Sequence, residues 1–188
     1  MDSIDGVERE KAEREQQELR QNSVQLNIVT LVDVDRAVRT GSLAEAVFMM
    51  DNSIGRTGQG TARLSTVCKQ GQVLNWIIRP IDGRQRADGG WPPVPRINNI
   101  VFLEDGRGDV EETKVCDELK IYGMPDRVRS PLTPVYYYWA GEVLHDLAPG
   151  VYPYRLVVEL EREGGAGPLY LNTEERPSLR VTAVSPAR

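Results

Sequence analysis

The sequence predicts an all-β fold: an antiparallel two-sheet β-sandwich of jelly-roll or immunoglobulin-like topology, preceded by a charged N-terminal tail that is helical or disordered. Three observations point there. Short runs with every second residue apolar recur from Val24 to Val184, the pattern of strands with one buried face. Glycine- and proline-rich stretches punctuate those runs. Little helix-period sequence lies between them, which argues against a βαβ fold. At 188 residues the chain fits one domain and an appendage, divided as tail 1–22 and sandwich domain 23–188.

Residues 5–20 (DGVEREKAEREQQELR) favour helix by propensity, with Asp5 and Glu8 at capping-box spacing and Glu10 and Arg14 as an i,i+4 pair. Val7, Ala12 and Leu19 share no face, so this helix has no apolar stripe with which to dock on a core. The segment reads either as a solvated tail or as an arm for assembly or docking. At Val24 the period becomes two, with Val24, Leu26, Ile28 and Val32 set against Gln25, Asn27 and Asp33. Asp33 to Thr40 then reads as a turn or two of helix, capped by Asp33 or Asp35 and ended by Gly41 in a left-handed conformation. Ala44 to Asp51 resumes the strand pattern.

The glycine-rich turn Asn52 to Gly60 (NSIGRTGQG) feeds Thr61 to Lys69, and Gly71 marks a tight reversal into Gln72 to Arg79. These two runs are expected to be adjacent antiparallel strands. Residues 80–96 (PIDGRQRADGGWPPVPR) have no period and are expected to form a long exposed loop bearing Trp91. Ile97 to Leu103 is a strand; residues 104–134 are irregular apart from a short strand at Glu118 to Tyr122. Val135 to Leu144 and Val151 to Leu160 carry the clearest β signal, the second with Tyr152, Tyr154, Leu156, Val158 and Leu160 on one face. Short strands at Leu169 to Leu171 and Leu179 to Val184 bring the total to about nine or ten. The run Leu147 to Tyr152 (LAPGVY) has the form of a tyrosine corner, in which a strand-entry tyrosine ties down a Greek-key crossover.

Composition narrows the classes of function. Hydrophobic residues make up 40% and charged residues 27%, enough apolar content for a real core. The formal charge is −5 with no Lys/Arg stripe, which disfavours nucleic acid as a partner. The charged N-terminus lacks a secretory apolar stretch, and no segment reaches the ~18 apolar residues of a membrane span, so a cytoplasmic location is expected. Cys68 and Cys116 have neither a disulfide framework nor a metal spacing and are expected to stay thiols, Cys68 packed as a small hydrophobe.

Several stretches together resemble the AidA/PixA family of bacterial proteins. Val32-Asp33 matches its strand end, Gly58 to Thr61 (GQGT) its turn before a strand, and Gly71 to Trp76 (GQVLNW) its following strand, with Gln72 where the family usually has Asp. Tyr136 to Glu142 (YYYWAGE) and Gly150 to Leu156 (GVYPYRL) are similar to its aromatic strand and its G-x-Y-x-Y strand. The likeness runs in patches over roughly residues 24–160, and residues 80–134 depart from it. It implies a β-sandwich of bacterial origin found inside cells, in a family associated with inclusion bodies or population-dependent expression and lectin-like in part. The four methionines depart from its Met-rich inclusion-body type.

No side chains assemble a catalytic set in the sequence. His145, the only histidine, stands beside Asp146 at a loop tip, and no G-x-S-x-G elbow accompanies it. One His and two distant Cys make no zinc site, and no cofactor is implied. Glu104, Asp105, Asp109, Glu111 and Glu112 offer oxygen ligands for calcium without EF-hand spacing. Arg107-Gly108-Asp109 is a chance tripeptide, and Gly55, Gly58 and Gly60 serve a turn, matching no phosphate-binding motif. Among the tryptophans, Trp76 alternates with Leu74 and Ile78, and Trp139 with Val135 and Tyr137, which places both in the core or its flank. Trp91 has no such phase and lies near Arg84, Arg86, Asp88 and Arg96. The expected function is therefore non-enzymatic recognition of a glycan or other polar small ligand by end loops, with Trp91, Arg84, Asp88 and Arg96 as ligand-binding residues. The alternative is a structural protein that forms a homo-oligomer or docks a protein partner through the tail and its sheet edges.

Overall fold

The computed structural model describes residues 25–91, 93–103, 113–123, 137–162 and 167–183. The tail 1–22 and the acidic stretch 104–112 lie outside them. Ten strands and one short helix occur among the described residues. The first sheet has the order β2-β1-β4-β7-β6, built from β1 (Leu26–Val32), β2 (Val47–Asp51), β4 (Val73–Pro80), β6 (Lys120–Gly123) and β7 (Tyr137–Glu142). The second has the order β3-β10-β8-β5, from β3 (Ser65–Lys69), β5 (Arg96–Phe102), β8 (Gly150–Leu160) and β10 (Ser178–Thr182), with β9 (Leu169–Asn172) also paired to β8. Inward residues of both sheets join in one buried cluster, from Leu26, Ile28 and Trp76 to Leu156, Val158 and Leu179. That shared core makes the architecture sandwich-like.

The expectation of purely antiparallel sheets is corrected. β1 runs parallel to β4, Leu26 opposite Leu74 and Val32 opposite Pro80, and β10 runs parallel to β3. Both sheets are therefore mixed and depart from an all-antiparallel jelly-roll or immunoglobulin pattern. Parallel neighbours need a crossover of about a dozen residues or more, and here Asp33 to Gln72 supplies it by way of β3 in the other sheet.

The expectation that Gly71 closes a hairpin is corrected for the same reason. β3 and β4 sit in different sheets. Gly71, at φ 72°, donates its N–H to Val143 O (2.8 Å), and Val143 N donates to Gln72 O (3.0 Å), so the turn is fastened to the end of β7. The Gln72 side chain accepts from Lys69 N at 3.0 Å and so closes the turn.

Local chemistry matches the remaining elements. α1 (Val34–Thr40) is capped by the Asp33 side chain, which accepts from Arg36 N at 3.0 Å, and ends at Gly41 with φ 67°. Only Val34 and Ala37 of this helix are buried, so it presents one narrow face to the core. In the GQGT turn, Gly60 N donates to Met49 O (2.7 Å) while the Gln59 amide brackets the Asp51 backbone, accepting from its N (3.3 Å) and donating to its O (3.2 Å). A side chain thereby continues the ladder along β2. The Tyr152 hydroxyl donates to Ala148 O at 2.6 Å, the bond expected of a tyrosine corner. The aromatic strand β7 ties the sheets together: the buried Tyr137 hydroxyl accepts from Ile97 N and donates to Pro95 O, both at 3.1 Å, and the Trp139 indole donates to Ile97 O at 3.0 Å.

Trp76, Leu74 and Ile78 are buried, as the alternation predicts. Both cysteines are buried free thiols, and burial pushes each up from 9.0 to about 12, with Asp51 adding to the effect on Cys68 and Cys68 to that on Cys116. Neither thiol should react with an aromatic disulfide reagent near pH 8 in the folded protein, and both should react in denaturant. Rapid labelling of the native chain would contradict this packing. Because the folded thiols hold their protons more tightly than the unfolded ones, their contribution to stability is complete below about pH 9 and is lost as pH rises toward about 12.

Candidate functional site

The loop between β4 and β5, α1 and the segment following β8 meet at one end of the sheets and enclose two clefts. One, of about 530 Å³, is lined by Asp33, Pro80, Ile81, Asp82 and Arg84 among others. The second, of about 450 Å³, adjoins it across Val34 and Asp35. Both fall within the usual range for small-ligand sites. The Arg86 guanidinium crosses from the loop to the helix and donates to Asp35 at 3.0 Å.

The four residues singled out in the sequence are only partly brought together. Arg84 lines the first cleft, its backbone N and its Nε both directed to Asp82 at 2.9 and 3.2 Å. The Arg84 N–H, and then its side chain, hold the Asp82 carboxyl below the usual carboxylate range. Asp88 is occupied locally, accepting from Gly90 N at 2.9 Å within a turn also closed by Arg86 N to Gly90 O (2.8 Å). Arg96 is half-buried on β5 and pairs with Glu161 at 3.5 Å. Trp91 is half-buried and lines neither cleft. The sequence placed all four near each other in number; of them only Arg84 lines a cleft.

Two features were not legible beforehand. Arg39 and Arg162 join Arg86 around the second cleft, because α1 and the chain after β8, far apart in sequence, end side by side. At the opposite margin of the first sheet, β6 is exposed at all four residues and carries Ile121 and Tyr122, with Tyr122 stacked on Tyr138 of β7 at 5.4 Å and 14°. The register Tyr122 opposite Tyr138 explains that stack. The only sequence signal was two aromatic residues in separate strands.

His145 is largely exposed and pairs with Glu142 at 2.7 Å. No group of three or more His, Cys, Asp or Glu side chains suited to a metal ion occurs among the described residues. No helix among them is long and apolar enough to cross a membrane.

These elements define a mixed-sheet, sandwich-like β protein with open clefts at one end and a bare strand at one margin. Residues 24–88 match a family described as a domain of unknown function (DUF8788), which spans β1 to the loop after β4. No curated protein matches the chain. Among solved structures, the inclusion body protein PixA from Burkholderia cenocepacia superimposes with a TM-score of 0.56 at 10% identity, covering 86% of this chain and 96% of that one. The AidA/PixA resemblance carried by the turn and strand motifs is thus met at the level of the fold.

Proposed function

We propose that this chain is a non-enzymatic structural protein that works by self-association, as the inclusion body name of its structural neighbour suggests. One observation carries the reading: β6 pairs with β7 on one side only, has no strand partner on the other among the described residues, and exposes Ile121 and Tyr122. A bare, partly apolar strand is a template for pairing with a second copy, whose own edge offers the same unpaired groups. The full chain should therefore sediment as a species larger than a monomer, and Ile121→Lys should return it to monomer mass while leaving the far-ultraviolet circular dichroism unchanged. A full chain that remains monomeric at high concentration would refute the proposal. A chain starting at Ser23 separates edge from tail: unchanged assembly assigns the contact to the edge, and loss of assembly assigns it to residues 1–22.

A second reading is glycan recognition through the end loops with Trp91, Arg84, Asp88 and Arg96; of these four only Arg84 lines a cleft, and that cleft is what supports it. Absence of binding across a glycan array by folded protein would remove it.

A further inference from the structure

We infer that the second end cleft, between α1, the β4–β5 loop and the chain after β8, is a binding site for a small organic anion, a molecule with one carboxylate or phosphate group and an apolar body. The inference is independent of both self-association and glycan recognition. Three guanidiniums, Arg39, Arg86 and Arg162, line this cleft against two carboxylates, Asp35 and Glu161. Both carboxylates are already engaged, Asp35 by Arg86 at 3.0 Å and Glu161 by Arg96 at 3.5 Å. Arg162 directs its Nε to Gly167 O at 3.0 Å.

Arg39 is different. Asp35 precedes it by one helical turn, the spacing of a favourable i,i+4 pair, yet Asp35 turns to the loop instead. Arg36, the other cation of α1, takes Glu45. Arg39 is left with no hydrogen-bond or ion-pair partner among the described residues, beside a wall already rich in positive charge. An incoming oxyanion would relieve that crowding, and the planar guanidinium fork matches both oxygens of a carboxylate or phosphate. Val38, 37% exposed, and Pro93 add apolar surface for the remainder of the ligand. The cleft volume of about 450 Å³ accommodates a single-ring molecule.

Titration of the full chain at low salt with benzoate, phenyl phosphate, inorganic phosphate and the neutral benzyl alcohol, followed by calorimetry, tests the site. Benzoate or phenyl phosphate should bind, whichever is tighter naming the oxyanion, with inorganic phosphate weaker and benzyl alcohol weaker still. Arg39→Gln should weaken the better anion by at least about tenfold, Arg39→Lys by less, and Arg63→Gln, which alters a distant surface pair with Glu175, not at all. Equal affinity of wild type and Arg39→Gln, equal binding of benzyl alcohol, or no binding of any anion would overturn the inference. Arg39 is exposed, so its replacement leaves the fold intact and the comparison valid.

Discussion

Trp76→Ala is expected to lower stability by about 3–5 kcal/mol. Trp76 is fully buried and meets Phe102 at 6.3 Å and 71° and Tyr154 at 6.2 Å and 84°, while those two rings lie 5.6 Å apart. The three rings come from both sheets, so deleting one opens a cavity at the joint between the layers. Domains of this size are stable by only about 5–15 kcal/mol, and the variant should unfold at a much lower urea concentration with an unchanged slope. Trp76→Phe should cost less, because it keeps an aromatic ring packed against Phe102 and Tyr154. A loss below about 1 kcal/mol in Trp76→Ala would mean that the sheets do not join through this cluster.

Gly58→Ala should be nearly as damaging. Gly58 has φ 75°, and a Cβ there would stand 2.4 Å from Arg63 O, a backbone atom that cannot step aside without moving the entry to β3. The left-handed conformation alone costs a non-glycine residue about 1–2 kcal/mol, and the collision adds to it. Gly60→Ala isolates the first term, since Gly60 has φ 76° and open space at its Cβ position. Denaturant titration should therefore rank Gly58→Ala well below Gly60→Ala. Equal losses would show that the turn relaxes freely. In the GQGT motif the glycines shape the turn and Gln59 continues the ladder of β2.

Much of the local structure was legible because its causes are local. Asp33, Gly41 and the residues between them specify α1 through one side-chain cap and one left-handed glycine. The period of two in Tyr154, Leu156, Val158 and Leu160 specifies the buried face of β8. Tyr152 finds its acceptor four residues away. Pairing was not legible, since alternation says which face of a strand is buried and nothing about its neighbour. Gly71 signalled a reversal, but whether β4 returns beside β3 or crosses to β1 depends on the cores on either side.

The candidate sites divide in the same way. Exposed loop character around Trp91 follows from Gly, Pro and charge without period, and the loop is irregular. Which of its residues face a cleft follows from its internal turn: Asp88 is consumed at Gly90, and Arg86 reaches Asp35. Sequence alone determined a mostly β, sandwich-like protein with one capped helix, a tyrosine corner and structural glycines, because period, caps and turn glycines are signals carried within a few residues. The tertiary structure alone decided the parallel pairings, the arginine-lined cleft and the bare edge of β6, because these join residues that share no local energy and meet only when the two sheets close on a common core.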